Sequence, residues 1–144
     1  MRRESIPAPL RLSLSGPTAV HDAVVAASTF AERAGLAGAS ASRLAIVVEE
    51  LAMNLYDHGG LGADDAFDLE LSSSRAEVRL VLIAPGPEFD PRQSISREFS
   101  SSKGAGAGLD LVRTWSRMLE HDYVEGRNRL ALALPIATAS GTAD

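Results

Sequence analysis

The 144-residue sequence contains no cysteine, which removes disulfides, thiolate nucleophiles and cysteine-ligated zinc together. A core built without disulfides is the ordinary state of a cytosolic protein, so a cytoplasmic location is expected. Basic residues are also scarce. Fourteen lysines and arginines stand against 19 acidic residues, for a net charge of −5, and only Arg2 and Arg3 are adjacent. A surface that binds nucleic acid by releasing counterions needs a basic stripe, so direct DNA or RNA binding is not expected. Long apolar runs are missing too. The densest, Leu80-Val81-Leu82-Ile83-Ala84, has the length of a strand, whereas a membrane span needs ~20 residues. Met1-Arg2-Arg3-Glu4-Ser5-Ile6-Pro7 leads into prolines and polar residues where a signal peptide would have its apolar stretch, so no membrane role is expected.

The length matches one domain of roughly 150 residues, expected over 8–136, with 1–7 and 137–144 as flexible tails. Leu10-Arg11-Leu12-Ser13-Leu14 alternates with period two and predicts a half-buried strand, ended by Ser15-Gly16-Pro17. From Thr18 to Ala34, Val20, Val24, Ala27, Ala31 and Ala34 recur at helical spacing, and Gly35 suits a left-handed cap. A second helix is predicted from Ser42 to His58 on the stripe Leu44, Val47, Val48, Leu51 and Leu55, stopped by Gly59-Gly60. Phe67–Leu71 and Val78–Ile83 read as a hairpin around Ser72-Ser73-Ser74. Pro85–Gly108 is rich in Gly, Pro and Ser and reads as a lid-like loop. A third helix is predicted over Leu109–Leu119, followed by strands over Glu120–Glu125 and Leu130–Leu134 around a Gly126-Arg127-Asn128 turn. The order β-α-α-β-β-loop-α-β-β predicts an α+β, two-layer sandwich: a mixed, mostly antiparallel sheet covered on one face by three helices.

Three features carry chemistry. On the second helix, at ~100° per residue, Glu50, Asn54 and His58 form one line beside the buried stripe, whereas Glu49 falls across the helix toward water. A carboxylate, a carboxamide and an imidazole so placed can point into one cleft, though spacing alone equally describes a polar boundary row. Gly104-Ala105-Gly106-Ala107-Gly108 runs into the Leu109 helix, an arrangement that suits phosphate and also suits a plain hinge. It lacks the Gly-Lys-Ser/Thr ending of a Walker loop. Pro85-Gly86-Pro87-Glu88-Phe89-Asp90-Pro91 reads locally as a rigid turn.

Taken in order, these features resemble the anti-sigma-factor serine kinases, the small single-domain branch of the GHKL ATPases, over about Leu10 to Pro135. Leu44-Ala45-Ile46-Val47-Val48-Glu49-Glu50-Leu51-Ala52-Met53-Asn54-Leu55-Tyr56-Asp57-His58-Gly59 is similar to that family's N box. Gly86 with Phe89-Asp90-Pro91 is similar to the first glycine box, and Gly104–Gly108 with Leu109-Asp110-Leu111-Val112-Arg113 to the second. The resemblance implies the Bergerat, or histidine-kinase-like ATPase, fold. It implies Glu50 as the general base toward a substrate serine and Asn54 as the ligand of Mg²⁺. It further implies ATP held by Asn54, His58, Gly86, Lys103, Gly104, Gly106, Gly108 and Leu109, with Arg92 and Arg97 as alternative cations beside Lys103. Implied partners are an anti-anti-sigma protein, a sigma factor and a second copy in a homodimer.

One position departs. Ala84 stands where the family has an Asp that accepts from the adenine amino group. An unpaired polar group there costs about 1–3 kcal/mol, or roughly 5- to 150-fold in affinity, so weakened ATP binding is expected. The alternative is a partner-switching module on the same fold whose nucleotide site has degenerated.

Overall fold

The computed structural model describes residues 6–90 and 105–136, with 105–109 described by their backbone. Among the described residues five strands and three helices follow in order: β1 (Leu10–Leu14), α1 (Ala19–Ala34), α2 (Gly38–Asp57), β2 (Phe67–Ser73), β3 (Glu77–Pro85), α3 (Ala105–Trp115), β4 (Arg117–Val124) and β5 (Arg127–Pro135). The sheet order is β1-β2-β3-β5-β4, and every pairing is antiparallel, so the expected mixed character is absent among the described strands.

Period-two alternation sorts the sheet into two faces. Phe67, Leu69 and Leu71 of β2, Val78, Leu80, Leu82 and Ala84 of β3, and Leu130, Leu132 and Leu134 of β5 are buried under the helices. The other face buries Val81, Ala131 and Ala133 and carries exposed ion pairs, with Arg79 and Arg129 both reaching Glu120 at 3.8 and 2.7 Å. Each such pair contributes little on its own.

The helices pack where their apolar stripes point, with one shift. Ala19, Ala23, Ala27, Phe30 and Ala31 are the buried face of α1, whereas Val20 and Val24 are half-buried. The expected stripe is therefore rotated, because alanines at i, i+4 spacing let α1 approach the rest of the core more closely than valines would. Gly35 ends α1 at φ +70°, with the Leu36 and Gly35 N–H groups donating to the carbonyls of Ala31 and Glu32. The α2 helix begins at Gly38, a turn before the expected Ser42, after an Ala37 that offers no side-chain cap to read from sequence. Its stripe Leu44, Val47, Val48, Leu51 and Leu55 is buried as expected.

The C-terminal third differs from expectation in register. The third helix runs over Ala105–Trp115 and not Leu109–Leu119. Ser116 closes it by donating both its N–H and its Oγ–H to the Val112 carbonyl, and Leu119 belongs to β4, at a bulge between Met118 and Glu120. The hairpin turn is Glu125-Gly126, both at positive φ (55° and 77°), the geometry of a tight two-residue hairpin. Arg127 and Asn128, expected in the turn, are strand residues of β5. Residues 91–104, most of the expected lid, lie outside the described residues, as do 1–5 and 137–144 of the expected tails.

Candidate functional site

The C-terminal half of α2 meets β3 and β5 around one cleft, with Leu51 and Leu55 of the helix facing Leu82 and Leu130 of the strands. Asn54 is drawn inside there, only 4% exposed, and neither its Oδ1 nor its Nδ2 has a protein partner. It faces a narrow cleft lined by Leu51, Leu55, Leu82, Phe89, His121 and Asn128, among others. The enclosed part has room for about one water. An orphaned buried amide costs about 1–3 kcal/mol unless a water, ion or ligand satisfies it, so its oxygen suits a hard cation with a mixed shell of water and other oxygens.

Glu50 sits one turn earlier and is half-buried, whereas Glu49 is exposed, as the helical wheel predicts. Burial pushes the Glu50 carboxyl above its ordinary value, and the neighbouring charges of Glu49 and Asp57 push it the same way. A carboxylate made more basic in this way is better suited to accept a proton from a hydroxyl. His58 does not continue the row into the cleft. It is the exposed C-cap of α2, where its backbone N–H donates to the Asn54 carbonyl at 2.9 Å.

The first glycine segment is packed against the end of α2. Gly86 adopts φ +135°, and a Cβ there would lie 3.1 Å from the Gly59 carbonyl oxygen. Gly60, at φ +78°, would place a Cβ 2.9 Å from Cδ of Pro87. The same segment is tied to the β4–β5 hairpin: the Gly86 N–H donates to the Gly126 carbonyl at 3.1 Å, and Tyr123 Oη–H donates to the Gly86 carbonyl at 2.8 Å. Asn128 completes the tie. Its Nδ2 donates to the Pro87 carbonyl at 2.9 Å, and its Oδ1 accepts from the Phe89 N–H at 2.8 Å and lies 2.9 Å from His121 Nε2.

Of the second glycine segment, Gly106 and Gly108 are inside the first turns of α3 and do not precede it. Lys103 and Gly104, like Arg92 and Arg97, lie outside the described residues, and Leu109 is described by backbone alone. The α3 helix is seated by fully buried Val112 and by Trp115, whose ring lies under the Arg43 guanidinium of α2 at 5.3 Å.

Asn54 and Gly86 are among the residues expected from sequence, whereas Asn128, His121 and Tyr123 join them only in the structure. A signal for Asn128 was available: counting back by two from Leu134, Leu132 and Leu130 places it on the buried face, provided Glu125-Gly126 is recognised as the turn.

An antiparallel sheet under three helices, with a buried asparagine on the central helix facing a cleft at the sheet end, defines a histidine-kinase-type ATPase domain. The histidine kinase-like ATPase domain family matches residues 15–134, and the chain belongs to that family. It is 30% identical over 94 residues to the serine/threonine-protein kinase BtrW of Bordetella bronchiseptica, a match covering 62% of this chain and 66% of BtrW. The chain thus spans a little under two thirds of that relative's length. The catalytic domain of histidine kinase ThkA shares the fold, with a TM-score of 0.53 and 14% identity over 88% of this chain and 97% of that domain. Among the described residues, no helix is long and apolar enough to cross a membrane.

Proposed function

We propose that this chain is an anti-sigma-factor-type serine/threonine kinase that binds Mg-ATP and phosphorylates an anti-anti-sigma partner. The observation that carries this reading is Asn54, an unpartnered amide buried on the helix of a kinase-like ATPase domain and facing the cleft. The residues fit the group they would hold. The Asn54 oxygen would ligate Mg²⁺, which would supply neutralisation of the charge that develops on the phosphate. Glu50 accepts the proton of the substrate hydroxyl, and its raised affinity for protons favours that transfer. The first turn of α3, with Gly106 and Gly108, would offer its backbone N–H groups to the phosphates at the positive end of the helix, and Lys103 and Gly104, which precede it in sequence, would add a cation and a glycine to the same role. His58 shapes the end of α2 beside this site. Phosphoryl transfer is mostly positioning and charge neutralisation, so this set is sufficient.

The match to BtrW, a serine/threonine-protein kinase, supports the hydroxyl substrate. Sequestering of a sigma factor and homodimerisation through the edge of β1, an end strand of the described sheet, belong to the same reading, as does a cytoplasmic site of action.

A second reading has its own observation. Ala84 is buried where the family has its adenine-binding Asp, which favours a switching module acting by protein contact alone. Thermal denaturation with and without Mg-ATP separates the two, because ligand at 100 times its Kd adds about 2.7 kcal/mol of stability. A clear upward shift of Tm is expected. No shift at millimolar Mg-ATP would leave the contact-only module standing and sink the kinase.

A further inference from the structure

The Asn128 amide has no part in the chemistry above, and its surroundings assign it one. Ala84 and Asn128 are direct cross-strand partners on the helix-covered face, 3% and 7% exposed. With only a methyl group at 84, Asn128 supplies the polar atoms at this end of the cleft.

Its orientation is fixed by chemistry. A backbone N–H can only donate and a backbone carbonyl can only accept, so Oδ1 faces Phe89 and Nδ2 faces Pro87. His121 Nε2 approaches the same Oδ1, so that nitrogen carries a proton and donates. The backbone of Pro87 and Phe89 therefore offers the amide one acceptor and one donor. Adenine offers the same pair along its Watson–Crick edge, as N1 beside the N6 amino group, and an asparagine amide meets both at once.

We propose that Asn128 reads the adenine base in place of a carboxylate at 84, exchanging its bonds to Pro87 and Phe89 for bonds to the base. His121 is a positioning residue that holds the amide oxygen toward the amino group. This rests on the nucleotide-binding reading above. The bound base takes over the bonds that the 87–89 backbone makes in its absence. A 6-oxopurine presents the reverse pattern, a carbonyl beside a protonated ring nitrogen. An unanchored asparagine meets it by turning its amide over, whereas one held by His121 loses that hydrogen bond in turning.

The test is calorimetric titration of the full chain with Mg-ATP and with Mg-ITP, for wild type, His121→Ala and Asn128→Leu. Wild type is expected to bind Mg-ATP roughly tenfold or more tightly than Mg-ITP. His121→Ala keeps the amide and its backbone ties but frees it to turn, so the ratio falls to within about threefold, chiefly through tighter Mg-ITP binding. Asn128→Leu loses the ratio through weaker Mg-ATP binding. If Asn128→Leu does not fold, the His121→Ala ratio decides. Equal binding of both nucleotides by wild type, or an unchanged ratio in His121→Ala, overturns the base-reading role and leaves the kinase reading intact. Binding of neither nucleotide by wild type overturns the nucleotide reading and this inference with it.

Discussion

Replacing Glu50 by Gln should separate activity from stability, in opposite directions. The carboxyl is half-buried on α2, and burial, then Glu49, then Asp57 raise its proton affinity above the ordinary value near 4.5. In the folded protein Glu50 thus holds its proton over a range of pH in which the unfolded chain has already released it. Stability falls with rising pH wherever the native state binds more protons than the unfolded state, so this group's contribution is complete below pH 4.5 and is lost as pH rises through the raised value. Glutamine keeps the shape and never ionises. The Gln variant should therefore match wild type at about pH 4 and be the more stable of the two at pH 8, with the gap opening between. Phosphate transfer to a serine-bearing partner should meanwhile drop on the order of 10²–10⁴-fold, the usual worth of a positioned general base, while Mg-ATP binding persists. Urea denaturation of both proteins across this pH range, paired with radiolabel transfer at neutral pH, reads both effects. A stability gap independent of pH would refute the assigned environment of Glu50, and transfer at the wild-type rate would refute its role.

Three further substitutions test the packing around the site. Gly60→Ala puts a methyl group 2.9 Å from Pro87 Cδ at φ +78°, so urea unfolding should show a loss of about 1–3 kcal/mol. Phe67→Ala removes a fully buried ring that meets Tyr56 edge-on at 6.2 Å, and should cost about 3–5 kcal/mol by the same measurement. Glu125→Asn relieves a left-handed non-glycine residue in the Glu125-Gly126 turn, and a rise of about 0.5–1 kcal/mol is expected; a loss would mean that the turn needs the glutamate side chain.

Most of the fold could be read in sequence because each element carries its own periodicity. The Leu44–Leu55 stripe fixed α2 and thereby put Asn54 beside the core and Glu49 in water. Alternation fixed β1, β2 and β3 with nearly correct ends. The failures share a cause: local patterns that fit two structures. Leu119 stands four residues after Trp115 and so continued the third helix on paper, although Ser116 had already closed it. Glu125-Gly126 carries weak turn chemistry compared with Gly126-Arg127-Asn128, so the turn was placed too late and the cross-strand pairing of Asn128 with Ala84 was hidden. The interior position of Asn54 was legible only as a flank of the stripe, because the cleft it faces is shared with Phe89 and Asn128, which only tertiary hydrogen bonds bring there.

The strand order also bears on how the site is assembled. The last of the described strands, β5, is inserted between β3 and β4. The residues that meet at the cleft are correspondingly remote along the chain, with the Phe89–Asn128 hydrogen bond spanning 39 positions. Until β5 arrives, β3 has one strand edge unpaired and Leu80 and Leu82 lack their partners Leu132 and Leu130. Such non-local topology folds slowly and leaves sticky edges open meanwhile. A ribosome-bound chain that has not yet released Arg127–Pro135 therefore holds Glu50 and Asn54 without a cleft, and the protein is most vulnerable to aggregation in the interval before that one strand is threaded home.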